Sequence, residues 1–402
     1  MLKLPRSTAE MGFLISVAQA FAARPEGPYD LKGPEPTLDW SALFELMKGH
    51  GLTPIVSQVL SQCPDANVPA EFRQAARNLA FVRRVQNFEQ LRVLLGLLEA
   101  FERMGVDVLP MKGLIFANEA YGDLGLRPSG DIDLLVARED RLPAEEILKL
   151  TGAVPDAERN PERHSVWRLN GVLIELHAGC ESDWCPRRLE RDIYFRWRRE
   201  VELGPKRVQA FSREGTIIYA CSHCASHYVT PFVQLEGLKL SLYLDLALFL
   251  RRWEEQLDWV ALIEQSERLS SPLIVRPHLI AAMALFDPPI PPEIKRWVMR
   301  DRQAQRMAAE ILRDLARTNR LQADGIKGEV ARLGKYRRIC KVYGSRFRGV
   351  LHLARSNWEA LFTVSQLDRM AYPNVQSTAL LLPLRLCRIT SSYVVPLLRR
   401  GE

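Results

Sequence analysis

Through residues 69–105, Leu91, Leu94, Leu95, Leu98 and Phe101 recur at three- and four-residue steps. That is the period of one apolar helix face, and Gly105 closes the run. Shorter helices are predicted over 11–21, from the Asp39-Trp40-Ser41 cap through Lys48, and over 58–63, with a Pro/Gly-rich loop at 24–39. At Val106 the texture changes. Residues 106–111 read as a strand, Lys112-Gly113 as a turn, 114–121 as a helix, 131–136 as a second strand and 139–150 as a helix. Residues 164–169 and 172–177 flank Asn170-Gly171, the strongest hairpin signal in the chain. From Gly215 the pattern is helical nearly to the end, broken at 287–292 and 321–328. No internal repeat stands out. These patterns predict an α+β chain in four parts: a helical region at 1–105, a small α+β core at 106–205, a helical domain at 206–320 and a basic helical region at 321–402.

Composition narrows the class. Of 402 residues, 47% are apolar and 26% charged, which excludes a disordered chain. Seven cysteines, an odd and sparse set, argue against a disulfide framework and for a reducing cytoplasm. No stretch approaches the ~20 apolar residues of a membrane span. Lys3 and Arg6 ahead of the apolar 11–23 mimic a secretory signal, but Glu10 interrupts its entry and the segment also reads as an amphipathic helix. The charge is uneven. Residues 300–402 hold 20 Lys+Arg against 8 Asp+Glu, and the first 299 residues hold 35 against 40. A basic last quarter on a mildly acidic body fits either RNA or another polyanion as a partner, or simply a soluble Arg-rich surface.

The sharpest chemical feature is Gly130-Asp131-Ile132-Asp133-Leu134-Leu135-Val136. On a strand Asp131 and Asp133 share a face, while Ile132 and Leu134 anchor the other in a core. Two ionised carboxylates that close require a cation, for which Mg²⁺ (or Mn²⁺) is suited; the plain alternative is turn chemistry at a strand start. Upstream, Lys112 and Gly113 end a strand and open a helix, where backbone N–H groups and a point charge can hold phosphates. Arg127 and Ser129 bring a guanidinium and a hydroxyl beside the acids. Downstream, Glu175 and His177 share a strand face, so Glu175 is a candidate third acid, with Glu181 and Asp183 as competitors in the following loop. Cys221, His223, Cys224 and His227 fall on one helix, on two faces about 200° apart. One tetrahedral zinc site is hard to build from them. His223 and His227, with His177, are instead candidates to line a substrate groove, or else packing residues. Asp245, inside an apolar run, is expected to cap or pair with a basic side chain. Cys180 and Cys185 read as unpaired thiols. No nucleophile-elbow, zincin, Walker or dinucleotide-binding pattern competes.

Lys112-Gly113, Tyr121-Gly122-Asp123 and Arg127-Pro128-Ser129-Gly130-Asp131-Ile132-Asp133 together resemble the uncharacterised nucleotidyltransferase family of the DNA polymerase β-like superfamily, largely known from bacteria. The similarity extends over most of the chain, through Asp39-Trp40, His50-Gly51, Glu175-Leu176-His177, His223, His227, Asp245-Leu246-Ala247 and Asp258-Trp259. It implies a small mixed β-sheet core of polymerase β-like fold embedded in helices. It also implies transfer of an NMP group from an NTP such as ATP, releasing pyrophosphate, to a small molecule, peptide or protein. By the family's pattern Asp131, Asp133 and Glu175 would hold the metals, and Lys112, Gly113, Arg127 and Ser129 would grip the nucleotide. The superfamily's usual Ser after the Gly is Leu114 here. The Lys-Gly and Arg-x-Ser version also resembles nucleotidyltransferase toxins of abortive-infection systems. A tRNA-modifying defence enzyme, or a binding module that has lost the chemistry, is therefore the alternative.

Overall fold

Thr8 accepts a hydrogen bond from the Met11 amide and Asp39 from those of Ser41 and Ala42. These caps start α1 (Ala9–Ala23) and α2 (Trp40–Gly49), because each satisfies amides that the first helical turn leaves without partners. A computed structural model of the protein describes residues 4–5, 7–156, 164–178, 197–229, 238–268, 273–321 and 342. The helix expected over 58–63 is α3 (Thr53–Ser61). It begins earlier because Pro54 in the first turn forfeits no hydrogen bond, and it stops short of Pro64. The predicted long helix is α4 (Ala70–Arg103).

After α4 come β1 (Val108–Met111), the short α5 (Gly113–Phe116) and a π-helical turn at Ala117–Tyr121. The chain then forms β2 (Ile132–Val136), α6 (Arg141–Leu150), β3 (Val154–Pro155), β4 (His164–Leu169) and β5 (Val172–Ala178). Asn170 and Gly171 both have positive φ, 51° and 80°, which gives the tight two-residue turn the Asn-Gly pair signals. The five strands form one mixed sheet in the order β1-β2-β5-β4-β3. Within it β2 and β5 run parallel and their neighbours antiparallel. The α+β class expected from the patterning is the class observed.

The sheet is buried on both faces. Ile132, Leu134 and Val136 of β2 join Ile174 and Leu176 of β5 against Leu94, Leu97 and Phe101 of α4 and Ile147 of α6. Leu109, Met111 and Leu135 point the other way, into a larger core built from the helices. An antiparallel ribbon, β6 (Arg198–Leu203) and β7 (Lys206–Phe211), lies along β1. The sequence reading missed it, although Val201, Leu203, Val208 and Ala210 alternate as its buried side. Its turn, with Gly204 at φ 58°, sits where that reading divides two domains at 205/206.

The helical part follows as α7 (Arg213–Val229), α8 (Leu240–Trp253), α9 (Trp259–Glu267), α10 (Arg276–Phe286), α11 (Pro292–Met299) and α12 (Arg302–Leu321). Its core includes Tyr243, Leu244 and Phe249 of α8, Leu279 of α10 and Met307, Ile311 and Leu315 of α12, and it takes in Leu14, Val17 and Phe21 of α1. Most of the basic 321–402 region lies outside the described residues, as do Cys180, Glu181, Asp183 and Cys185. Among the described residues, no helix is long and apolar enough to cross a membrane.

Candidate active site

The parallel pairing of β2 with β5 builds the site. It sets Asp133 opposite Glu175 and Leu135 opposite His177. Because side chains alternate along a strand, Asp133, Glu175 and His177 emerge on one face, away from Ile132, Ile174 and Leu176. His177 Nε2 stands 3.1 Å from Asp133 Oδ1 and 3.6 Å from Glu175 Oε2. Ligand atoms of the three lie within 4.8 Å of one another, close enough to share a metal ion. His177, a candidate to line a substrate groove, stands among these acids. Its side chain is 1% exposed and sits at the floor of the acid cluster.

Lys112 follows Met111, whose register partner on β2 is Asp133. Its backbone is held at φ 48°, ψ −137°, a conformation L-residues rarely adopt and one that costs about 1–3 kcal/mol. The strain accompanies an abrupt strand-to-helix turn that sends the side chain back over the sheet. There Nζ donates to Asp133 Oδ1 at 2.8 Å, in a pair whose side chains are 13% and 1% exposed. Asp131 stands one residue before β2 and is not among the three grouped ligands, but its charge reaches Glu175. Burial first, then Asp133 and Asp131, push the Glu175 carboxyl up to about 7, with Lys112 and His177 pulling the other way.

Gly113 is required at its position. A Cβ there would stand 2.5 Å from Ser129 Oγ, and φ is 25°. The Ser129 hydroxyl donates to the Asp131 carbonyl at 2.8 Å, and its amide donates to Asn87 Oδ1 at 3.1 Å. Asn87 Nδ2 in turn donates to the carbonyls of Leu124 and Arg127, and Gln90 Nε2 to that of Ser129. Two buried polar residues of α4 therefore hold the loop that delivers the acids. The sequence reading did not single them out. The available signal was an Asn and a Gln one helical turn before the apolar Leu91–Leu94 stripe.

Arg127 is engaged within the protein. Its Nε donates to both oxygens of Asp245, at 2.9 Å each, and Nη2 to Oδ2 at 2.8 Å. The remaining Nη1 donates to the Gly113 carbonyl at 3.4 Å, and Tyr121 Oη donates to Asp245 Oδ1 at 2.7 Å. The guanidinium is spent on holding α8 to the Lys112-Gly113 turn, and the Ser129 hydroxyl is likewise spent on the backbone. Asp245 pairs with a base as expected.

Tyr219, His223 and His227 form an i, i+4, i+8 stripe on α7. Tyr219 and His223 stack at 6.5 Å, the two histidines meet edge to face at 4.5 Å, and Lys112 Nζ lies 5.9 Å from the Tyr219 ring centre. The stripe therefore begins beside the acid cluster. Cys221 and Cys224 turn inward instead, fully buried, with thiols pushed upward by burial. One zinc site from all four residues is excluded by that separation.

Residues 36–287 match the model of a family described as uncharacterised nucleotidyltransferase. Among solved structures, the chain is similar to a crystal structure of ANT(2'')-Ia in complex with adenylyl-2''-tobramycin, at 15% identity and a TM-score of 0.30, over 40% of this chain and 88% of that one. A solution structure of the antibiotic-resistance factor ANT(2'')-Ia matches at 15% identity and 0.31, over 45% and 98%. An antigenic nucleotidyltransferase-like protein from Paracoccidioides brasiliensis matches at 16% and 0.27, over 56% and 97%. No curated protein matches the sequence.

Proposed function

The chain belongs to the uncharacterised nucleotidyltransferase family, and we propose that it moves an NMP group from an NTP such as ATP to an acceptor hydroxyl, amine or phosphate, releasing pyrophosphate with the help of Mg²⁺ or Mn²⁺. The observation that carries this reading is the convergence of Asp133, Glu175 and His177 on one sheet face, with Asp131 at its edge. Three carboxylates and an imidazole suit a divalent cation, and the strained Lys112 already supplies a positive charge to them.

A divalent ion bound there would polarise the α-phosphate and neutralise charge on the triphosphate. Asp131, Asp133 and Glu175 would hold it. Glu175, on the strand beside Asp133, would also face the attacking acceptor group and take its proton. Lys112 and the Gly113 amide, at the opening of a helix, would offset charge on the phosphates. Arg127 and Ser129 would act on the nucleotide by shaping that turn. Tyr219, His223 and His227 would border the acceptor. The division into 1–105, 106–205, 206–320 and 321–402 is part of the same proposal, as is a cytoplasmic location, which the unpaired Cys63, Cys221 and Cys224 support.

A nucleic-acid acceptor is favoured by one separate observation, the excess of 20 Lys+Arg over 8 Asp+Glu in residues 300–402. Incubating the protein with α-³²P-labelled NTPs and fractions of host lysate tests both readings. Label on a small molecule, peptide or protein supports the first. Label on RNA, with binding that weakens steeply as salt rises, supports the second. No transfer from any α-labelled NTP, with γ-label equally inert, would leave only a binding module.

A further inference from the structure

Resting on the nucleotidyl-transfer reading, we infer that His177 is a direct nitrogen ligand of the metal centre, so that this site takes a first-row transition ion such as Mn²⁺ in preference to Mg²⁺. The separations carry the inference. On an ion with bonds of about 2.1 Å, two donors at right angles stand about 3.0 Å apart, and tetrahedral donors about 3.4 Å. His177 Nε2 is 3.1 Å from Asp133 Oδ1 and 3.6 Å from Glu175 Oε2. In the metal-free protein the first is a hydrogen bond, and Lys112 Nζ sits on the same Asp133 oxygen at 2.8 Å, so an ion entering the trio would replace those two contacts with bonds to donors already gathered within 4.8 Å.

The position is also rigid. His177 lies on β5 two residues beyond Glu175, opposite Leu135, with its side chain buried. It cannot withdraw from the acids without disturbing the sheet. Any ion seated between Asp133 and Glu175 therefore meets its Nε2. Asp131, ahead of the strand, stands outside this trio. To the carboxylates that the motif suggests, the pairing of β2 with β5 adds a histidine.

Such a donor set discriminates. Mg²⁺ is a hard ion that takes oxygen ligands and keeps its waters, whereas imidazole is a borderline donor that first-row transition ions accept more readily.

The test uses full-length protein stripped with chelator, Mn²⁺ binding followed by electron paramagnetic resonance, and Mg²⁺ measured by competition. Wild type is expected to bind Mn²⁺ more tightly than Mg²⁺. Its spin-echo spectrum is expected to carry the ¹⁴N modulation of a directly bound imidazole. His177→Gln loses that modulation and narrows the preference, while the His223→Gln/His227→Gln double variant keeps both. A wild-type Mn²⁺ spectrum without nitrogen coupling overturns the inference whether or not His177→Gln folds. So does coupling that persists in His177→Gln. Either result leaves nucleotidyl transfer standing, since that is read separately from label transfer with each ion.

Discussion

Arg127 and Asp245, 118 residues apart in the chain, meet in a buried two-pronged ion pair that fastens α8 to the turn beside the acid cluster. The guanidinium's remaining arm reaches the Gly113 carbonyl, so the pair links the helical part to the Lys112-Gly113 turn. Asp245→Asn leaves a buried guanidinium without its counter-charge. A loss of about 3–5 kcal/mol is expected in urea denaturation, together with loss of transfer. Arg127→Met/Asp245→Leu, which removes both charges, should cost far less stability than either single change. If Asp245→Asn leaves the denaturation midpoint unmoved, the pair is not holding the two parts together.

The two aspartates of the motif are unequal. From their spacing alone, removing either would relieve repulsion and leave stability level or slightly raised. Asp133, however, carries Lys112 at 2.8 Å, so Asp133→Asn weakens a charge-assisted hydrogen bond of a mostly buried ammonium and is expected to cost about 1–3 kcal/mol. Asp131→Asn, which removes a charge that burdens Glu175, should leave the metal-free protein as stable or more so. Both should abolish transfer. Thermal melts in chelator, compared with label transfer, separate the two effects.

Glu175 should make the metal-free protein lose stability as pH rises. Its carboxyl is raised from 4.5 to about 7 in the folded chain, so between those values the folded state holds a proton that the unfolded chain releases. That contribution is fully present below pH 4.5 and gone above about 7. Its size is about 3 kcal/mol. Glu175→Gln mimics the protonated form and should match wild type at low pH but exceed its stability at pH 8. Parallel pH profiles for the two proteins would show that Glu175 titrates normally. A bound divalent cation should remove the difference by competing with the proton.

Gly113→Ala should disturb the turn by more than the ordinary cost of a methyl group, because the new Cβ meets Ser129 Oγ at 2.5 Å. Adding Ser129→Ala removes that oxygen and should restore part of the stability, at the price of the hydrogen bond to the Asp131 carbonyl. A double variant no more stable than Gly113→Ala alone would mean that backbone conformation, not the close approach, governs this position.

Much of this was legible in the sequence because it depends on neighbours along the chain. The α4 stripe, the Asp39 cap, the Asn170-Gly171 turn and the alternation of 131–136 are local matters of period, capping and backbone conformation. The same alternation puts Glu175 and His177 on one face. What no local pattern contains is which strands pair. That Asp133 lies opposite Glu175 follows from β5 inserting parallel to β2, a contact across 42 residues settled by burying Ile132, Leu134, Ile174 and Leu176 together against α4 and α6. The same packing joins Arg127 to Asp245, Ser129 to the Asp131 carbonyl and His177 to the acids. A side chain's partners are set by tertiary distance, and motif order records only the residue types available to meet there.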